Sequence, residues 1–139
     1  MPLQMNPEFN AAKLAIGSAL EQKARFAEAA FSLQEGASAW RSGMGESMMG
    51  HTYALMGKRQ EAVKLIHELA ELSKTKYVSP AYVAAIYAGL RDKDKAMEWL
   101  ERAYDVRAAS LVFLKVNPRY DLLRSDPRFK DLLKRIHLD

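Results

Sequence analysis

GHTYALMGKRQEAVKLIHELAEL, residues 50–72, decides the fold. Ala62, Leu65, Ile66, Leu69 and Leu72 recur at spacings of three and four, which is one face of an α-helix. Gly57 stands where a preceding helix should end. The stretch therefore reads as two helices joined by a glycine turn. Residues 84–106, AAIYAGLRDKDKAMEWLERAYDV, repeat it, with Ala96, Trp99, Leu100, Ala103 and Tyr104 as the stripe. When the two stretches are overlaid, Gly50 falls on Ala84, Tyr53 on Tyr87, Ala62 on Ala96, Ile66 on Leu100 and Leu69 on Ala103. A further copy lies one period upstream, with Gly17, Leu20, Ala29, Leu33 and Gly36 in the same columns. A small residue lets two helices approach where they cross, and a large residue beside it fills the gap. One hairpin cannot bury its apolar face alone, so three such hairpins should stack into an all-α, right-handed solenoid.

Outward from this core, the periodicity predicts helices over 7–23, 26–39, 44–56, 59–73, 80–90 and 93–106. The repeats span about 10–42, 43–76 and 77–109 of a single domain. Asn6-Pro7, Ser79-Pro80, Asn117-Pro118 and Asp126-Pro127 read as N-caps followed by proline in the first turn. Residues 110–139 do not continue the columns. They predict short helices near 110–115 and 118–124 and a last one over 127–137, whose Phe129, Leu132, Leu133 and Ile136 form an apolar stripe. A segment with one apolar face suits the exposed end of a stack, so it is expected to act as a helical cap.

The columns resemble the tetratricopeptide repeat (TPR), in the small residue, tyrosine, glycine turn and Glu-Ala pair of 50–72. The third copy has Arg91 at the turn glycine, and the first has Ala24 there and Gly36 where alanine is usual. YVSPAYVAAIYAGLRDKDKAMEWLERAY and LVFLKVNPRYDLLRSDPRFKDLLKRI extend the likeness over about 47–138, to the TPR module that closes many bacterial signalling proteins. That resemblance implies a module that scaffolds or regulates a signalling effector. No effector domain fits in the chain.

Composition narrows the classes of chemistry. At 139 residues, 49% hydrophobic and 27% charged, the chain is one domain with enough apolar side chains for a core. The longest uncharged run, Tyr77 to Leu90, is too short to span a bilayer. No basic lead into an apolar stretch opens the sequence, and a cytoplasmic location without membrane attachment is expected. Without cysteine there is no disulfide frame, thiolate nucleophile or thiolate metal site. His51, His67 and His137 do not pair at helical spacing, no glycine-rich phosphate loop is present, and no nucleophile elbow occurs. No catalytic residue, cofactor or metal is therefore expected, and the chain is not read as an enzyme. His51 as a proton-transfer group is the weakest of the readings carried forward.

In stacked hairpins the first helices line the concave surface. By helical phase that surface holds Leu14, Ser18 and Glu21 from the first copy, Met44, Ser47, His51 and Leu55 from the second, and Val78, Ala81, Ala85 and Ala88 from the third. Some TPR proteins clamp a peptide carboxylate with Lys, Arg and Asn here. This chain has Leu14, Ser18, Ser47, His51 and Ala81 at those places, which rejects that mode. The surface instead suits a protein or peptide partner with an apolar side, in extended or helical form. Its alternative occupant is the chain's own N- or C-terminal segment. Met48, Met49 and Met56 would either make the surface adaptable or fill the core, and an open apolar groove would favour homo-oligomers. Residues 107–135 carry eight Lys and Arg against three Asp, an excess of five. That excess supports, as the alternative function, a module that contacts nucleic acid. The absence of interleaved aromatics argues against it.

Overall fold

The computed structural model describes residues 7–37, 43–108, 111–112 and 114–137. Among them, all regular elements are helical. These are α1 (Pro7–Gln22), α2 (Phe26–Ala37), α3 (Met44–Leu55), α4 (Arg59–Leu72), α5 (Pro80–Gly89), α6 (Lys93–Asp105), a 3-10 helix η1 (Pro118–Leu123) and α7 (Pro127–Arg135). Consecutive helices pair as α1/α2, α3/α4 and α5/α6, and α3 packs along α5, so the expected stack of helical hairpins is present.

Each first helix ends in the same way. Ala24, Gly57 and Arg91 occupy one column and share a left-handed backbone, with φ of 59°, 79° and 62°. The next residue donates back to the carbonyl five positions earlier: Arg25 to Leu20, Lys58 to Tyr53 and Asp92 to Tyr87, at 2.9, 2.9 and 3.0 Å. This closes the orphan carbonyls of each helix and reverses the chain into the second helix. Only Gly57 adopts that backbone without a Cβ penalty. Ser79, Asn117 and Asp126 accept from the backbone N–H two residues on, at 3.2, 3.0 and 2.9 Å, as the cap-proline pattern predicts. Asn6 lies outside the described residues.

The tail differs from expectation in its form. Residues 118–123 are 3-10 rather than α, because the short stretch between two cap-proline starts leaves no room for a second α-turn. Of the helix expected near 110–115, residues 111–112 form a 3-10 turn and 114–116 a turn, and the others lie partly outside the described residues.

The small-residue column also departs from a single role. A Cβ on Gly17 would lie 2.5 Å from Leu33, within the same hairpin, whereas a Cβ on Gly50 would lie 2.5 Å from Ile86 of the next one. The two junctions between hairpins explain the difference. At the second, Ile86 of α5 seats on Gly50 of α3. At the first, the residue in the same column as Ile86 is Thr52, which turns its hydroxyl to Glu21 of α1. At the second junction α3 packs along α5, whereas at the first it packs against α2 and meets α1 only sparsely.

Two apolar clusters share α5. Val83 and Ile86 join Ala62, Leu65, Ile66 and Leu69 of α4. Ala81, Ala84, Ala85 and Ala88 join α6 and the tail through Leu100, Leu111, Leu114, Tyr120, Leu123, Phe129 and Leu132. The segment after α6 thus folds back over α5, and α7 closes the stack.

Exchanging Gly57 for Ala is expected to cost about 1 kcal/mol, and exchanging Ala24 for Gly to recover a similar amount. Opposite shifts in urea midpoint would show this, and equal shifts would refute the shared turn. Phe129→Ala is expected to lower stability by about 3–5 kcal/mol, because its fully buried ring holds the cap.

Candidate functional site

The columns of the first helices converge on one buried polar cluster. Glu21, near the end of α1, sits in a column whose other members are Ala54 and Ala88. Its carboxylate is 2% exposed and must be neutralised by partners. One oxygen lies 2.8 Å from Nδ1 of His51, off the line of an in-line hydrogen bond. The other accepts from Thr52 Oγ1 at 2.5 Å and stands 3.6 Å from Nη2 of Arg119. The same Arg119 nitrogen donates to Ser18 Oγ at 3.0 Å, and the Arg119 side chain is 10% exposed. Three segments distant in sequence, α1, α3 and η1, are therefore tied at one carboxylate. Burial by itself pushes the Glu21 carboxyl up. The His51 imidazole beside it, then the Arg119 guanidinium and the Thr52 hydroxyl, outweigh that and hold it below its ordinary value.

Beside this cluster an open cleft of ≈ 510 Å³ is lined by Gln22, Leu55, Gly89, Arg91, Asp121 and Leu122, with Glu21, His51 and Arg119 in its floor. The turn residues Ala24 and Arg91 border it, so the left-handed turns set its rim. A second pocket of ≈ 460 Å³, between the end of α6, Ala108, Leu111, Val112 and α7, shares none of these residues.

The structure places the sequence-predicted groove residues in two groups. Leu14, Glu21, Ser47, His51, Ala81, Ala85 and Ala88 are buried. Ala81, Ala85 and Ala88 pack under the chain's own tail, and Tyr120 Oη donates to the Ala81 carbonyl at 3.0 Å. Ser47 is turned to α5, donating to the Tyr82 carbonyl at 2.7 Å. Ser18, Met44 and Val78 are half-buried, and Leu55 is exposed in the cleft. The C-terminal segment thus covers the α5 part of the groove, which is the alternative occupant named from sequence. The open part lies toward the ends of α1 and α3. Met49 packs into the α4/α5 core, so part of the methionine set fills core space.

Arg119 and Arg91 were not among the predicted groove residues. Arg119 is 101 positions from Ser18, and no local pattern announces such a contact. The available signal was Glu21 itself, a carboxylate in a column of alanines that required a cation from elsewhere.

Half of the basic residues of the tail are engaged in internal pairs. Arg119 faces Glu21, Arg124 pairs with Asp121, Arg128 with Asp94 and Asp126, and Arg135 with Glu101 and Asp131. The hydrogen bonds from Arg128 hold the Asp126 carboxyl down to about 2. Arg107, Lys115, Lys130 and Lys134 make no ion pair among the described residues. Among the described residues no cluster of three His, Asp or Glu is placed to hold a metal ion, and no helix is long and apolar enough to cross a membrane.

Residues 83–110, from within α5 through α6 and beyond, match the family model of the tetratricopeptide repeat. These residues form a tetratricopeptide repeat. No curated protein and no solved structure matches the chain. TPR units are non-catalytic and generally mediate protein–protein interaction. In this chain the face that stacked hairpins would offer a partner is partly closed by the tail and partly open as the cleft.

Because the Glu21 carboxyl is held low, the stability it contributes is present above its unfolded value of 4.5 and is lost as pH falls through the lower folded value. Glu21→Gln is expected to cost about 1.5–3 kcal/mol near pH 7. The gap to wild type should close in acid, and urea unfolding as a function of pH measures it. A gap that stays constant with pH would remove the charge from this account.

Proposed function

We propose that this protein is an interaction module that takes a peptide or helix of a partner protein into the cleft at the ends of α1, α3 and α5. The observation that carries this reading is the cleft itself, which lies on the face built from first helices, is unfilled by the tail and combines both kinds of lining. Leu55, Ala88, Gly89, Pro118 and Leu122 offer apolar contact, while Gln22, Arg91 and Asp121 offer polar contact at the rim. Such a site suits a short segment with one anchoring apolar side chain and adjacent polar groups. The floor is already neutralised, since Glu21 is opposed by His51 and Arg119, so charge at the rim selects and apolar burial holds.

The likeness of residues 47–138 to modules that follow signalling effector domains supports an effector, or a protein that acts on one, as that partner. Four of the eight basic residues of the tail are held in ion pairs, which lowers the charge free to meet phosphates and favours a protein over nucleic acid.

Peptides selected on the intact protein from a random library test this reading. Leu55→Glu should weaken their binding at least tenfold, about 1.4 kcal/mol, with unchanged thermal melting. Leu55 is exposed, so the variant is expected to fold. Undiminished binding by the folded variant would reject the cleft as the site.

A further inference from the structure

The outer face of the first hairpin breaks the repeat in one direction. In the repeat columns Phe31 of α2 corresponds to Lys64 of α4 and Glu98 of α6, and Ala27 corresponds to Gln60 and Asp94. These columns are exposed in all three hairpins, charged or polar in the second and third and apolar in the first. Phe31 is 66% exposed. Beside it Ile16 of α1 is 49% exposed, whereas its counterparts Met49 and Val83 pack into the apolar core. Ile16, Leu20, Ala27 and Phe31 line a trough of ≈ 420 Å³ between α1 and α2. At the other end of the stack α7 buries Phe129 and Leu132, and Val112 is exposed in the second pocket.

The charges around this trough say what fits it. Lys13 and Glu35 pair at 3.1 Å at one end, and Arg25 and Glu28 pair at 2.6 Å at the other, beside the turn. Each of these pairs is neutral, with one acid and one base. A strongly charged partner finds no complement here. A surface with an apolar centre and one neutral pair at each end does complement itself, since a two-fold axis brings neutral pair onto neutral pair.

The geometry points to a second copy of this chain as the occupant, joined through the α1/α2 faces as a four-helix contact. With 16 and 12 residues, the two helices run about 24 and 18 Å and together present a face about 20 Å wide. Two such faces enclose about 900 Å², the small end of specific interfaces, so the pairing is weak and reversible. This surface shares no lining residue with the cleft and does not depend on the function proposed for it.

Sedimentation velocity of the full chain over low to high micromolar concentration tests the proposal, with Phe31→Lys and Phe31→Glu beside wild type. Both substitutions copy residues already present in the equivalent positions, Lys64 and Glu98. Wild type should pass from monomer to dimer, with both variants monomeric throughout and melting like the dilute wild-type monomer. A wild type that stays monomeric overturns the proposal and leaves the face to a different protein. Variants that dimerise like wild type overturn it by placing the interface elsewhere. Variants that melt well below the wild-type monomer overturn it by showing that Phe31 is covered within one chain.

Discussion

Helix α5 has no polar face, and the rest of the molecule is arranged to cover it. Its sequence, PAYVAAIYAG, lies in the longest uncharged run of the chain. A helix that is apolar all round is stable in water only when it is surrounded. Val83 and Ile86 are covered by α4, and Ile86 also seats on Gly50 of α3. A Cβ on Gly89 would come within 3.0 Å of Ala54 and His51, so α3 and α5 touch almost backbone to backbone. The alanine side remains, and small side chains cannot reach far. The tail must come to them, and it does so with Leu111, Leu114, Tyr120 and Leu123. That return carries Arg119 to Glu21. The polar cluster on the first-helix face is thus a consequence of the apolar demand of a helix in the third repeat.

Much of this was legible in the sequence, for a local reason. Helical periodicity, cap-proline pairs and the repeat columns are all properties of short stretches, and they placed six helices and the closing α7. The turn at Arg91 shows how a column can carry more information than a residue type. Arginine does not suggest a left-handed backbone, but its position under Gly57 does. Helical phase also grouped Ser18, Glu21, His51 and the α5 alanines on one side. What it could not give was their cover. Ala81, Ala85 and Ala88 look the same to a sequence reading whether they meet a partner or the chain's own Tyr120. The choice between those depends on the path of a segment far downstream of α5. The 3-10 form of η1 was hidden for a related reason, since caps and prolines fix where a short helix starts and not which hydrogen bonds it has room to make.

The two junctions between hairpins differ in kind, and one column accounts for it. Ile86 fills the space over Gly50 with a branched apolar side chain, whereas Thr52 fills the equivalent place with a hydroxyl that needs an acceptor. Glu21 supplies that acceptor and in turn needs a cation, which η1 supplies. A polar chain of this kind ties α1 to α3 through charge and through the tail, while α3 and α5 meet through shape and the Ser47 hydrogen bond. The first hairpin is held to α3 through α2 as well, so this polar chain adds to an existing helix contact. The cleft lies beside that chain and shares Glu21, His51 and Arg119 with it.

A repeat array makes departures from its own pattern informative, because each copy serves as the control for the others. Equivalent positions have equivalent backbone surroundings, so a change of residue type within a column reflects a change in what that position meets. Glu21 among alanines marks the point where the tail arrives. Thr52 in place of isoleucine marks the polar junction. Arg91 in place of glycine marks the rim of the cleft, at the cost of a strained backbone. Phe31 in place of charge follows the same logic, and it stands out because nothing described in the chain covers it. The first two departures each have a partner visible in the fold, and the third lines the cleft. By the same physics the fourth calls for one, and its partner has to come from outside the described residues.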